Sequence, residues 1–287
     1  MNAEAISLVH GANIAQKKAH RTKYRDDLSV QYLAEIEERY LAWKEANLAI
    51  TASDQASVEE RVALLNEYKD FIDQQKYAEK FDSRSNLHST VLEEFLVHLF
   101  RNSIPHLELD PVVGKGETFK SFYIAPMSFG DLLTTPNVKI ETKDHDFVIG
   151  ATFTTTFKSH NGGEISEEVF QVPAVSIECK TYLDKTMLEG AAGDADELKR
   201  INPAARSIVV AEWLKLSTSV NLRKYRLDQI YVLRRQKNTD REFRYAEDYE
   251  KNPIYADLVW DLHQYVVDYL STERWDVEEA LKTGKLL

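Results

Sequence analysis

Little in this chain breaks a helix or crosslinks a fold. Its 287 residues include one cysteine, Cys179, which excludes an intramolecular disulfide framework and any zinc site built from several cysteines, and fits a reducing compartment. No proline precedes Pro105 and Gly11 is the only glycine before Gly114, so about a hundred residues carry almost no helix breakers and long helices are expected there. No apolar run approaches the ~18 residues of a membrane span, and no basic segment followed by an apolar run opens the chain. A soluble, cytoplasmic protein with no membrane partner is the expectation. Positive charge is scarce as well: 36 Lys and Arg against 47 Asp and Glu leave a formal net charge of -11. That field opposes nonspecific coating of nucleic acid, but a metal-dependent nuclease needs acidic residues at its site.

What is present is helical first and mixed later. From Leu28 to Ile50 the apolar residues Leu28, Tyr32, Ile36, Tyr40 and Trp43 form a helical stripe, with Leu33 and Leu41 beside it. A second helix is expected from Ser57, with Glu60 completing a capping box, through Val62, Leu65, Tyr68 and Ile72. A third runs from Asn86 or Ser89 to Arg101. Beyond Pro105, short β-branched runs punctuated by Gly, Pro, Asn and Asp predict strands at Phe119 to Ala125 and His145 to Phe157. A turn at His160-Asn161-Gly162-Gly163 and a return arm at Val169 to Tyr182 follow, with Pro173 marking an edge or a bulge. A helix from Asp184 to Arg200, strands at Ser207 to Trp213 and Leu227 to Arg235, and helices at Ala256 to Leu270 and Val277 to Lys282 complete a mixed α/β order.

The stretch Val175-Ser176-Ile177-Glu178-Cys179-Lys180 carries the chemistry. Glu-x-Lys occurs at Glu67-Tyr68-Lys69 and Glu197-Leu198-Lys199 too, but both lie in expected helices, where residues two apart point in different directions. On a strand, alternate residues share a face. Cys179 then joins Val175 and Ile177 in the core, while Glu178 and Lys180 face a cleft. Upstream, Asp144 and Asp146 also share a face, just before the buried run Phe147-Val148-Ile149. Asp146 is preferred over Asp144 because it adjoins that run. Two carboxylates suffice to help hold Mg²⁺, which is hard and keeps most of its waters. An ammonium beside them orients or deprotonates water, or neutralises developing charge.

This set resembles the PD-(D/E)XK nuclease superfamily, with Asp146 as the first acid and Glu178 and Lys180 as the second half. The resemblance implies an αβββαβ core with a helical N-terminal region. No proline precedes Asp146, and the thirty-two residues to Glu178 are accommodated by the hairpin at His160 to Gly163. The superfamily often adds a glutamate from the helix before the core. Glu93 and Glu94 are both in place for that role, and Glu93 is preferred for the spacing of Leu96, Leu99 and Phe100 behind it. More narrowly, Ser89 to Phe95, Lys143 to Phe147 and Ile177 to Met187 resemble type II restriction endonucleases of the BbvCI-like heterodimeric group, best over residues 86 to 215. That resemblance implies an Mg²⁺-dependent endonuclease, with Mn²⁺ as a substitute, acting on double-stranded DNA. It also implies a homologous second subunit, or a second copy, with each subunit cutting one strand of a short asymmetric site. The alternatives are a PD-(D/E)XK repair or recombination nuclease and a catalytically silent DNA-binding subunit. Residues 1–82 form a helical region for DNA recognition or dimerisation, 83–240 the nuclease core, and 241–287 a helical extension packed on it.

Three basic clusters are candidate DNA contacts: Lys17, Lys18, Arg21, Lys23 and Arg25; Arg223, Lys224 and Arg226; and Arg234, Arg235 and Lys237. Asn221, Gln229 and Gln236 lie nearby as possible base readers. Other motifs fail. Gly114-Lys115-Gly116-Glu117-Thr118 lacks P-loop spacing, no two histidines stand at metal-ligand spacing on one helix face, and there is no Gly-x-Ser-x-Gly elbow.

Overall fold

The computed structural model describes residues 8–81, 86–135, 137–163, 165–237, 250–272 and 277–284. The expected boundaries at 82/83 and 240/241 fall outside the described residues. Five helices come first: α1 (Val9–Ala19), α2 (Asp27–Ala49), α3 (Gln55–Ile72), α4 (Gln75–Lys80) and α5 (Thr90–Phe100). They lead into β1 (Val112–Ile124), α6 (Phe129–Thr134), β2 (Val138–Lys158), β3 (Ile165–Leu183), α7 (Lys185–Ile201), β4 (Arg206–Leu214), β5 (Gln229–Val232), α8 (Ala256–Ser271) and α9 (Val277–Thr283). The run from α5 through β4 is the αβββαβ order, with the short α6 inserted between β1 and β2.

The α2 stripe buries Leu33, Ile36, Tyr40 and Trp43, while Leu28 and Leu41 stay exposed. α3 begins two residues before Ser57. Its cap is Asp54, whose carboxylate accepts from the Ser57 N–H at 2.9 Å, so Ser57 sits inside the first turn and the expected capping box is replaced by an Asp cap. α1 was not expected. Its buried positions are His10, Ile14 and Lys17, too few apolar residues to form a readable stripe.

The strands form one sheet in the order β1-β2-β3-β4-β5. β2 is antiparallel to β1 and β3, and β4 is parallel to β3 and β5. Pro173 therefore lies in an interior strand. It is accommodated by a register shift at Ile149/Gly150, and Gly150 is needed there because a Cβ would sit 2.4 Å from the Val172 carbonyl oxygen. At the hairpin tip Gly162 and Gly163 take φ of 90° and 102°, the left-handed side that glycine adopts without strain.

Strand alternation divides the core. One face of the sheet packs Ile177, Cys179, Ile208 and Val210 against α5 and the helices behind it, in one cluster that also takes in Ile14, Leu65 and Val266. The other face packs Val209 and Ala211 against Leu188 and Ala191 of α7. Between α3 and the sheet lies a buried ionic network. Lys69 Nζ stands 2.9 Å from Glu212 and 3.1 Å from Asp73. Arg234 donates to Glu212 from Nε at 3.1 Å and to the Asn252 carbonyl at 2.6 Å, with its guanidinium over Trp213. Lys69, Glu212 and Arg234 are all fully buried.

Among the described residues no helix is long and apolar enough to cross a membrane.

Candidate active site

Antiparallel pairing of β2 with β3, Phe147 opposite Ile177, brings Asp146 to the start of the same cleft as Glu178 and Lys180. Asp146 Oδ2 accepts from the Cys179 backbone N–H at 2.9 Å and from Lys180 Nζ at 3.0 Å. Lys180 Nζ also donates to Glu178 Oε2 at 2.8 Å. Cys179 turns the other way, 3% exposed and packed in the core, as strand alternation requires. Another Glu-x-Lys lies on a strand, Glu141-Thr142-Lys143 on β2, but it points to other partners: Glu141 pairs with Lys120, and Lys143 with Asp194.

α5 supplies Glu93, nearly buried, with Lys115 of β1 at 3.8 Å from its Oε2. Burial, then the neighbouring charge of Asp146, push the Glu93 carboxyl up to about 7, against a weaker downward pull from Lys115 and Lys180. Asp146 is also raised, by burial and by Glu178, although Lys180 pulls it down. Glu178 behaves oppositely: burial would raise it, but the hydrogen bond from His145 and the Lys180 ammonium hold it at about 2. For Lys180 burial favours the neutral amine, and Asp146 and Glu178 override it, so the group is a firm ammonium.

Glu94 points away from the cleft. Fully buried, it accepts the backbone N–H groups of His10 at 2.8 Å and Gly11 at 3.1 Å, tying α1 to α5. Asp144 is exposed on the outer part of β2, opposite Glu117 of β1. The structure thus gathers Asp146, Glu178, Lys180 and Glu93 and leaves Asp144 and Glu94 outside the group.

Two participants carried no motif. His145 Nδ1 lies 2.9 Å from Ser176 Oγ and 3.4 Å from Glu178 Oε1. A carboxylate only accepts, so contact with Glu178 requires the proton on Nδ1, which makes His145 a donor fixing the Glu178 carboxylate. The alternation that places Glu178 on the cleft face also places Ser176 there, which is the one sequence signal that pointed to this contact.

The residues fit a divalent cation. The buried Glu93 and Glu178 and the partly buried Asp146 lie together; Lys180 bridges Asp146 and Glu178, while Glu93 Oε2 is buried without a hydrogen-bond donor among the described residues, so added positive charge would relieve the group. Among the described residues no three Asp, Glu, His or Cys side chains converge closely enough to hold an ion in this arrangement; Asp146 and Glu178 converge on Lys180 Nζ instead.

The basic candidates divide. Arg234, fully buried on Glu212, is a core residue and is withdrawn as a phosphate contact. Lys17 is withdrawn as well: it is 6% exposed, bonded to Asn13 at 2.7 Å, and burial brings it down to about 8. Lys18 pairs with Glu37, and Arg235 with Asp257 while lying over Tyr255. Arg21, Lys23, Arg25, Arg223, Lys224, Arg226 and Lys237 are exposed, Arg226 with Asp196 at 3.8 Å. Asn221 caps the Arg223 N–H, Gln229 folds onto the Ile230 N–H, and Gln236 clasps Glu250 and Asn252.

A helix, three antiparallel strands, a helix and a parallel strand, with Asp146 and Glu178-x-Lys180 at the strand mouths, make the class a restriction-endonuclease-like nuclease. A sequence model of the Bpu10I restriction endonuclease family matches residues 84–285, and the chain belongs to that family. It is accordingly an endodeoxyribonuclease of the restriction type, which displaces the repair and recombination alternative. A solved structure described as the native BbvCI A2B2 tetramer at low resolution shares the fold, with a TM-score of 0.67 and 20% identity over 93% of this chain and 98% of that one. No curated protein matches the sequence.

Proposed function

We propose that this protein is the subunit of an Mg²⁺-dependent type II restriction endonuclease, with Mn²⁺ as a substitute, and that Asp146, Glu178 and Glu93 hold the metal. The observation that carries the reading is the convergence of Asp146 and Glu178 on Lys180 Nζ, at 3.0 and 2.8 Å, beside Glu93. A bound Mg²⁺ supplies Lewis-acid polarisation of the phosphate and a water of lowered pKa. Lys180, an ammonium at neutral pH, orients the attacking water and stabilises negative charge growing at the phosphate rather than removing a proton. His145 and the Cys179 N–H hold the two carboxylates in place.

The substrate is double-stranded DNA at a short specific site. Phosphate contacts are assigned to Lys18, Arg21, Lys23 and Arg25 around the end of α1, to Arg223, Lys224 and Arg226, and to Arg235 and Lys237 after β5. The helical region 1–82 is assigned to DNA recognition or dimerisation. The solved relative is titled an A2B2 tetramer, which supports pairing with a homologous second subunit or a second copy. The protein is assigned to the cytoplasm.

A plasmid digest with Mg²⁺ or EDTA, with the chain alone and with a homologous subunit, tests the reading. Discrete fragments or nicks that need Mg²⁺ and disappear in Lys180→Ala are expected. Cleavage that survives Glu178→Ala and Lys180→Ala together overturns the site.

A further inference from the structure

The Gly114-Lys115-Gly116 stretch, which lacks the spacing of a nucleotide-binding loop, has another use in the fold. β1 pairs Gly114 with Val148 and Gly116 with His145, so Lys115 alone stands opposite two residues of β2, Asp146 and Phe147. That is a bulge on β2, a device that re-aims side chains beside functional sites. Phe147 enters the core and Asp146 the cleft. The flanking glycines belong to the same device. Gly114 has φ of 119°, and a Cβ on Gly116 would stand 2.6 Å from Val148 Cγ2 and 2.9 Å from Gln171 Oε1. A side chain at either would strain the pairing that sets Lys115 beside Asp146.

The strand order β1-β2-β3 puts Asp146 on the middle strand, with Lys180 on one neighbouring strand and Lys115 on the other. The two ammonium groups are held differently. Lys180 donates to Glu178 at 2.8 Å and to Asp146 at 3.0 Å. Lys143, farther along β2, is also held, 3.1 Å from Asp194 of α7. Lys115 Nζ instead lies 3.8 Å from Glu93 Oε2 with its side chain 45% exposed, and among the described residues it donates no hydrogen bond. That distance is a charge contact without a hydrogen bond, and Glu93 Oε2 has no other donor there. Lys115 therefore offsets the buried carboxylate while its own N–H groups stay unclaimed. Once Glu93 ligates a divalent cation, the same ammonium faces like charge within a few Å. A flexible side chain at the rim then turns to the nearest new negative group, the phosphate of the bound strand.

We propose that Lys115 is a second catalytic ammonium: it serves as the counter-ion of Glu93 before metal binds, then donates to a non-bridging oxygen of the scissile phosphate. The proposal rests on the metal-site reading above and adds a substrate contact to it. No bond to Lys115 forms or breaks. It stabilises the charge that grows on the phosphoryl oxygens as water adds, while Lys180, from the other side of Asp146, orients that water.

The test compares wild type with Lys115→Met, which keeps the length and removes the charge, and with Lys115→Arg, after thermal melts verify folding. Three quantities are measured: Mn²⁺ affinity by calorimetry without DNA, DNA affinity without metal, and the single-turnover rate on a plasmid that wild type cuts. Lys115→Met is expected to bind Mn²⁺ about 3- to 10-fold more tightly, because a competing cation is gone. Its metal-free DNA affinity should be unchanged and its saturated rate about 100-fold lower, with Lys115→Arg recovering most of that rate. Weaker Mn²⁺ binding in Lys115→Met overturns the proposal and makes Lys115 a support for Glu93. Metal-free DNA affinity that falls as far as the rate makes it an ordinary phosphate contact and overturns the proposal too. So does an unchanged rate, or an Arg variant as slow as Met. In those cases a wild type that binds Mn²⁺ and cuts leaves the metal-site reading standing; a wild type that does neither overturns that reading and this proposal together.

Discussion

Lys180 Nζ lies 3.0 Å from Asp146 Oδ2, and the same ammonium is bonded to Glu178, so one cation bridges two carboxylates that the strand pairing forces together. Replacing it with a neutral side chain strands both charges. Lys180→Ala is expected to cut the single-turnover cleavage rate about 10²- to 10⁴-fold. The metal-free variant should also melt earlier than wild type, and Mg²⁺ should restore more of its melting temperature than it adds to wild type. Paired melts with Mg²⁺ and EDTA check this; equal metal increments in the two proteins count against the carboxylates as the ion's ligands.

His145 acts through Glu178 and touches no reacting atom. Without its Nδ1–H, Glu178 loses the largest of the interactions that hold its carboxyl low against the upward push of burial. His145→Ala is expected to raise the Mg²⁺ or Mn²⁺ concentration for half-maximal binding about 10- to 100-fold. His145→Asn, which offers an N–H near the Nδ1 position, should recover much of it. Metal titration by calorimetry in the absence of DNA separates this from general damage, since a merely structural role would give no rescue by Asn.

Arg234 and Arg223 stand in neighbouring basic clusters and should fail in different ways. Arg234→Ala leaves Glu212 and Asp73 with less positive charge in a dry site, a loss of about 3–5 kcal/mol in unfolding experiments. Arg223→Ala should leave stability unchanged, weaken binding evenly across DNA sequences and flatten its salt dependence by about one counterion. Denaturant melts and salt titrations of DNA binding make the comparison.

Acid should destabilise the protein before its ordinary carboxylates titrate. Burial holds His10 at about 3 and His263 at about 4, and His98 is lowered too. Above the ordinary value of 6.5 neither the folded nor the unfolded chain protonates these rings, so they contribute no pH dependence. Below it the unfolded chain takes up protons that the folded one refuses, and stability falls with pH, by about 1.4 kcal/mol per unit for His10 across its window. Glu93 opposes this between its ordinary 4.5 and about 7, because its folded form holds a proton the unfolded form has lost. Melting temperatures from pH 7 to 4.5 should therefore fall, more steeply in Glu93→Gln and less steeply in His263→Phe, which keeps the stack between Phe100 and Trp260.

The parts legible in the sequence are those in which periodicity and chemistry coincide. Leu33, Ile36, Tyr40 and Trp43 repeat at helical spacing, and the alternation of Ile177, Glu178, Cys179 and Lys180 separates core from cleft without any tertiary information. The hidden parts depend on partners distant in the chain. Arg234 reads as surface charge until Glu212, twenty-two residues earlier, and Lys69 are seen across from it. α1 is held by a histidine and a glutamate rather than by an apolar stripe. His145 belongs to no motif, because its role is set by β2 lying beside β3.

Adjacent glutamates on α5 face different sides, Glu93 into the cleft and Glu94 under the start of α1. A nuclease core excised at residue 82 would keep the first and strip the second of the His10 and Gly11 N–H groups, leaving His98, 3.7 Å away on the same helix, as its remaining partner. The opening helix is thus a foundation stone of the cleft. Trimming it should loosen Glu93 as surely as mutating a neighbour would, so the minimal active fragment has to begin before His10.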